Sequence, residues 1–227
     1  LIPLTEKLFS TLVRTARGAL TISYQGQTLN FTPPWPRVSF VEAVQKATGV
    51  NVLEAREPAP YLQALRTLHV QPPEDQSLPN LLDELFTEAV RKKTAGPLFV
   101  SGAPVELEPL AKRDQNEPRL VQRVQLVVAG MELVKAYTEE NDPGEQAARF
   151  RAHAQLQGAV DVHPLDAEYI EALKIGLPPA AGWGMGVDRL TMLATDQPSI
   201  RDVLTFPLLR PPALPRQKRT RAHRGRP

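Results

Sequence analysis

The 227-residue sequence contains no cysteine. That absence excludes a disulfide framework, a thiolate metal centre and a cysteine nucleophile together. Long apolar runs are missing as well: stretches such as Leu126–Gly130 and Leu98–Val100 fall far short of the roughly 20 residues needed to cross a bilayer. The expectation is a soluble protein with no membrane partner. The four histidines, His69, His153, His163 and His223, stand in unrelated contexts, so neither a zinc spacing nor a Ser-His-Asp arrangement is supported. No acid follows Asp202, whereas Arg210, Arg216, Lys218, Arg219, Arg221, Arg224 and Arg226 supply 7 of the 27 basic residues. The formal charge of +2 thus hides an acidic body, with 20 basic against 25 acidic residues, and a basic tail.

With 42% hydrophobic residues the chain can bury one sizeable core. Residues 1–209 read as that unit. Residues 210–227 hold almost no large apolar side chain after Leu214, a composition that cannot order itself; such a tail is either merely solvated or in nonspecific contact with nucleic-acid phosphates. The start, Leu4 to Ala19, is an amphipathic helix carrying Glu6, Lys7, Arg14 and Arg17 rather than a signal peptide, and the true N-terminus is expected upstream.

Hydrophobic spacing predicts a helix over Leu4–Ala16, a hairpin over Ala19–Phe31 turning at Gln25-Gly26, and a break at Thr32–Pro36. Ser39, with Glu42 as capping-box partner and Gly49 as stop, brackets a helix over Phe40–Ala47. Further helices are expected within Val52–Gln76 and over Leu78–Lys93, the latter with basic residues at its C-terminal end. Pro97–Val100 and Val124–Tyr137 read as long core strands around an irregular stretch, Pro109–Lys112. Helices from Pro143 to about Gln157 and over Leu165–Ile175 follow, then a strand over Gly182–Gly186 running into a helix over Val187–Thr195.

Two constellations could carry chemistry. In Glu132, Lys135, Tyr137, Glu139, Glu140, Asn141 and Asp142, an extended chain would put Lys135, Tyr137 and Glu139 on one face. A carboxylate for a charged end and a ring for the methylenes suit a long amino side chain, although an exposed edge strand with solvated charges has the same spacing. In Gly182-Trp183-Gly184-Met185-Gly186-Val187-Asp188-Arg189, alternating glycines bare one face for a flat ring and Arg189 can reach a phosphate. Tight strand packing would use the same glycines, and the pattern is not a P-loop or Rossmann loop.

Together with Phe31–Arg37, Pro109–Lys112, Gly176-Leu177-Pro178-Pro179, Pro198–Leu204 and Phe206-Pro207, in that order from residue 1 to about 212, these blocks resemble the class II lysyl-tRNA synthetases. The resemblance implies an α+β fold, a class II aminoacyl-tRNA synthetase-like antiparallel sheet flanked by helices and incomplete at its N-terminus. It implies a cytoplasmic lysine-tRNA ligase that joins lysine to ATP with Mg2+, passes the lysyl group to tRNA and works as a homodimer. On the matching positions it assigns ATP to Gly184, Gly186 and Arg189, with Arg189 also catalytic at the γ-phosphate. It assigns lysine to Tyr137, Glu139 and Asn141, and magnesium to Glu132 and Gln125.

Several departures qualify that. The family's first two signature motifs and its anticodon domain are absent, so this stretch is expected to be inactive by itself. Gln125 stands where the family has a second magnesium-binding glutamate, which should lower metal affinity. Lys135 replaces the usual asparagine and Glu140 the usual leucine; an inward Lys135 would compete for Glu139 and repel substrate lysine. A weakened or altered ligase is the resulting expectation. The alternatives are a paralogue that attaches a lysine-like group to a protein such as an elongation factor, and a noncatalytic binding remnant.

Overall fold

In a computed structural model, residues 1–156 and 166–207 are described; the tail 210–227, His163 and His223 lie outside them. Helix α1 (Ile2–Arg17) buries Thr5, Phe9 and Val13, spaced by four on one stripe, and ends at Gly18 with φ 75°. Strands β1 (Thr21–Tyr24) and β2 (Gln27–Asn30) form the expected hairpin. After β3 (Arg37–Ser39), the Ser39 hydroxyl accepts the Glu42 amide at 3.1 Å and Gly49 at φ 77° closes α2 (Phe40–Thr48). That local chemistry works as the sequence predicts.

Next come α3 (Pro58–Thr67), α4 (Leu78–Ala89) and β4 (Leu98–Ser101). Helix α4 stops short of Lys93, because Val90 leaves helical geometry at φ −120° and Arg91–Lys93 make a separate 3₁₀ turn. The stretch Val124–Tyr137 is not one long strand. It is β5 (Arg123–Val128) and β6 (Met131–Thr138), reversed by Ala129 and Gly130, both at positive φ (49° and 75°) as a tight hairpin turn demands. The chain continues through α5 (Pro143–Leu156), α6 (Ala167–Ile175), β7 (Ala181–Met185) and α7 (Val187–Thr195).

The main sheet runs β3-β4-β5-β6-β7, antiparallel except for the parallel pair β3/β4. The three-residue β3, which sequence spacing does not predict, is held by that pairing. On one face α2, α3 and α4 pack Phe40, Tyr61, Leu81, Leu85 and Phe86 over Val100 and Val127. On the other, α1, the hairpin and α7 pack Phe9, Leu29, Trp35 and Leu193 over Phe99, Leu126 and Val134. Each such side chain contributes about 1.5–3 kcal/mol through removal from water. The architecture is the expected α+β class, with helices on both faces of the sheet.

One irregularity shapes the site. The β5/β6 register shifts between Leu126 and Val127, so that Val134 faces Leu126 but Glu132 faces Val127, leaving Leu133 as an extra residue. Leu133 and Val134 therefore both enter the same core. By plain alternation Glu132 would lie with Val134, away from Lys135; the bulge returns it to the Lys135 face.

Candidate active site

Strand β6 lies between β5 and β7, so its charges do not belong to an exposed edge. Gln125, Lys135 and Gly184 are cross-strand neighbours, as are Arg123, Tyr137 and Gly182. Directly opposed residues share a face, and all six therefore point the same way. Trp183, between the two glycines, points to the other side, where its indole N–H donates to the Thr5 hydroxyl at 2.9 Å.

At the C-terminal end of β6, Glu139 continues on the Lys135 and Tyr137 face. Its carboxylate lies over Gly182, where any Cβ would approach Oε1 well inside the 3.0 Å that real contacts keep. A side chain at 182 is thus incompatible with the carboxylate where it stands. Burial pushes the Glu139 carboxyl above its ordinary range, and among the described residues no cation pairs with it. Burial first, and then the Glu139 charge, push the Tyr137 phenol up; the same two causes act on Tyr169 of α6, whose ring lies 6.1 Å from that of Phe150 on α5. An apolar-walled, partly desolvated carboxylate without a partner is suited to receive an ammonium. Asn141 sits just beyond, its amide already committed: its oxygen accepts the Lys112 ammonium and its nitrogen donates to the Leu177 carbonyl at 3.2 Å.

At the other end of β6 the charges are interlocked. Gln125, almost fully buried, accepts Arg123 Nη2 on its oxygen at 2.7 Å and donates its nitrogen to the Glu132 carboxylate. Arg123 also meets Glu108 at 3.1 Å and Glu132 at 3.8 Å. Lys135 reaches Glu108 at 3.0 Å, so it does not compete for Glu139. Arg189, on the first turn of α7, donates Nη1 to the Glu132 carbonyl at 2.7 Å, and its chain folds back over Gly186, where a Cβ would stand 3.4 Å from Arg189 Cδ. Arg123, Glu132, Lys135 and Arg189 line one cleft of about 420 Å³ under α4. Among the described residues no three His, Asp or Glu side chains converge as a metal-binding group.

Glu140, one residue past Glu139, points the opposite way into the protein. It accepts the Asn141 and Asp142 amides at 3.0 and 3.1 Å and pairs with Arg149 at 2.9 Å, both side chains about 4% exposed. Arg149 also holds Glu145 at 2.8 Å and the Ala111 carbonyl, while Arg113 meets Glu145 at 2.6 Å. The two guanidinium groups hold the Glu145 carboxyl below its ordinary range. This network ties α5 to the end of β6 and to the 109–113 stretch.

Over residues 1–210 the sequence matches the family described as class II tRNA synthetases (D, K and N). The chain belongs to that family. It is similar to the lysine–tRNA ligases of Carboxydothermus hydrogenoformans (40% identical over 210 residues, 92% of this chain and 43% of that protein), Roseiflexus castenholzii (42%, with the same shares) and Staphylococcus aureus (37% over 209 residues, 91% and 42%). The chain spans about 43% of the length of these relatives. No helix among the described residues is long and apolar enough to cross a membrane.

In this class II synthetase the residues singled out in sequence divide into two neighbouring sets on one sheet face: Tyr137 and Glu139 at one end, Gln125, Glu132 and Arg189 at the other, with Gly182 and Gly184 baring the strand beside them. Sequence reasoning misses Arg123, Glu108, Tyr169 and Arg149. Arg123 carried a signal, since it stands two positions from Gln125 on the same strand. Glu108 and Arg149 carried none, because loop and helix bring them in from afar.

Proposed function

We propose that this chain is the lysine- and ATP-binding part of a lysine–tRNA ligase. The observation that supports it most is Glu139: a half-buried carboxylate beside Tyr137, with no cation paired to it among the described residues. In this reading the ε-ammonium of lysine supplies the missing charge, Tyr137 lines its methylenes, and Asn141 keeps the turn in shape through Lys112 and Leu177. Gly184, where a Cβ would meet nothing nearer than 3.9 Å, leaves backbone open beneath the adenine, and Gly186 leaves room for Arg189 to face the γ-phosphate. Glu139 and Glu132 lie about 20 Å apart along the strand, room for a lysine and a triphosphate end to end.

The reaction needs alignment and charge neutralisation more than a base. A lysine carboxylate oxygen bonds to the α-phosphorus, the bond from that phosphorus to the bridging β-phosphate oxygen breaks, and pyrophosphate leaves with the electron pair; the lysyl group then passes to tRNA. Glu132 fits a magnesium ion carried in on the phosphates, which would add charge neutralisation there. Gln125 adds no second donor as it lies, because its amide oxygen is held by Arg123. Residues 1–209 form the catalytic part and 210–227 a basic tail, in a cytoplasmic protein that acts on tRNA as a homodimer.

The test is calorimetric titration of the chain with lysine, arginine and ornithine, followed by lysine-dependent exchange of pyrophosphate into ATP by the intact protein. Preference for lysine together with exchange supports the ligase. Lysine binding without transfer to tRNA points to the protein-modifying paralogue, and no binding of lysine or ATP points to a noncatalytic remnant.

A further inference from the structure

The cleft at the N-terminal end of β6 carries an uneven set of charges. Arg123, Lys135 and Arg189 face two carboxylates, Glu108 and Glu132. Glu108 is shared, with Arg123 at 3.1 Å and Lys135 at 3.0 Å on the same Oε1, so one negative charge serves two cations. Glu132 receives the Gln125 amide and stands 3.8 Å from Arg123. Of the other charged groups lining the cleft, Asp83 and Arg91 offset one another, and Glu106 is held by Arg56 at 2.7 Å.

Lys135 stands directly opposite Gln125 across β5 and β6. Here a neutral amide faces an ammonium, in a position where a carboxylate would have cancelled the charge. The Lys135 side chain is 37% exposed, and with one N–H bond directed to Glu108 its remaining donors face the cleft. A flexible, compact ammonium with free donors is a phosphate ligand.

Resting on the ATP reading of this site, we infer that Lys135 binds the phosphate chain of the nucleoside triphosphate and supplies part of the charge a divalent cation would bring. The chain then takes ATP with a reduced requirement for magnesium. Arg189 from the first turn of α7 and Lys135 from β6 grip the same phosphates, and the neutral Gln125 keeps Lys135 available to them.

The experiment is calorimetric titration of the full chain with ATP, in EDTA and in excess magnesium, for the wild type, Lys135→Met and Lys135→Arg. The wild type is expected to lose less than about threefold in affinity when magnesium is removed. Lys135→Met is expected to lose about tenfold or more in EDTA but much less in magnesium, while Lys135→Arg stays near wild type. Equal affinities of wild type and Lys135→Met in EDTA would overturn the inference, as would a wild type that binds ATP only with magnesium; in both cases the ATP reading itself survives. Failure of all three proteins to bind ATP in either condition sinks both.

Discussion

Gly182 offers the sharpest test of the amino-acid pocket. In Gly182→Ala the new methyl would overlap Glu139 Oε1 and nothing else within contact distance except the same carboxylate carbon at 3.5 Å. The obstacle is the far end of a flexible side chain, so the fold can yield by moving it; to reach an ordinary 3.4 Å contact the oxygen must retreat by about 1 Å. A displacement of that size costs up to ~100-fold where a charge must meet a fixed partner, while the backbone at 182, which has ordinary φ, gains no strain. The expected result is lysine affinity lowered by about 10- to 100-fold, ATP affinity within about twofold, and unfolding free energy changed by less than about 1 kcal/mol. Gly184→Ala is the matched control. Its Cβ meets only the Lys135 carbonyl at 3.9 Å, so lysine binding should persist while a ring on the bared strand is obstructed and ATP binding falls. Calorimetric titration with each ligand and a thermal melt of each variant suffice. Gly182→Ala binding lysine like the wild type, or losing stability and both ligands together, refutes the idea that this glycine exists to seat the carboxylate.

Removing the charge itself, in Glu139→Gln, should lower lysine affinity by about 10- to 100-fold, the worth of a charge-assisted hydrogen bond at roughly 1.5–3 kcal/mol, with ATP titrations unchanged; equal lysine affinity would deny it a role. Because burial raises the Glu139 carboxyl above its ordinary 4.5, lysine binding should fall as pH drops, with a midpoint above 4.5, and fall again as the lysine ε-amine loses its proton near ~10.4. The sign for the free chain is opposite: ionising a group whose folded value is raised costs stability, so this contribution is greatest below the ordinary value and is lost as pH rises through the raised one. A lysine affinity flat between about pH 4 and pH 7 contradicts that. Arg149→Met strands the buried Glu140 carboxylate and should cost about 3–5 kcal/mol in chemical denaturation, whereas Glu140→Leu with Arg149→Met should recover most of it; a double variant no better than the single one removes the pair from the account.

What the sequence discloses about this chain is local and periodic. Ser39 caps α2 by accepting the Glu42 amide and Gly49 closes it by donating to the Gln45 carbonyl, as the sequence suggests, with the helix running one residue beyond the expected end to Thr48. Gln25-Gly26 turns the first hairpin for the same reason. The second turn, Ala129-Gly130, has no such advertisement, since alanine at φ 49° adopts that conformation only because the flanking strands pair. The pairing of Lys135, Tyr137 and Glu139 on one face follows from strand alternation alone. Glu132 does not follow: an even-numbered residue joins an odd-numbered set only through the bulge at Leu133, which is a property of two strands together. Glu108, Tyr169 and Phe150 enter the site from separate elements, and no spacing in the sequence ties them to it.

Glu139 and Glu140 carry the central contrast of the site. They are adjacent, chemically almost identical, and aimed in opposite directions by the extended backbone. The inward one meets Arg149 and two backbone amides; the outward one is desolvated enough to raise its pKa yet meets no cation among the described residues. A carboxylate in that condition raises the free energy of the unliganded chain, and either protonation or the arrival of a cation relieves the cost. The neighbouring Glu140–Arg149 pair pins the turn at residues 140–142, directly beside Glu139. If lysine binds at Glu139 as proposed, a looser turn costs affinity: Arg149→Met is expected to weaken lysine in calorimetric titration, and unchanged affinity would deny the turn that role.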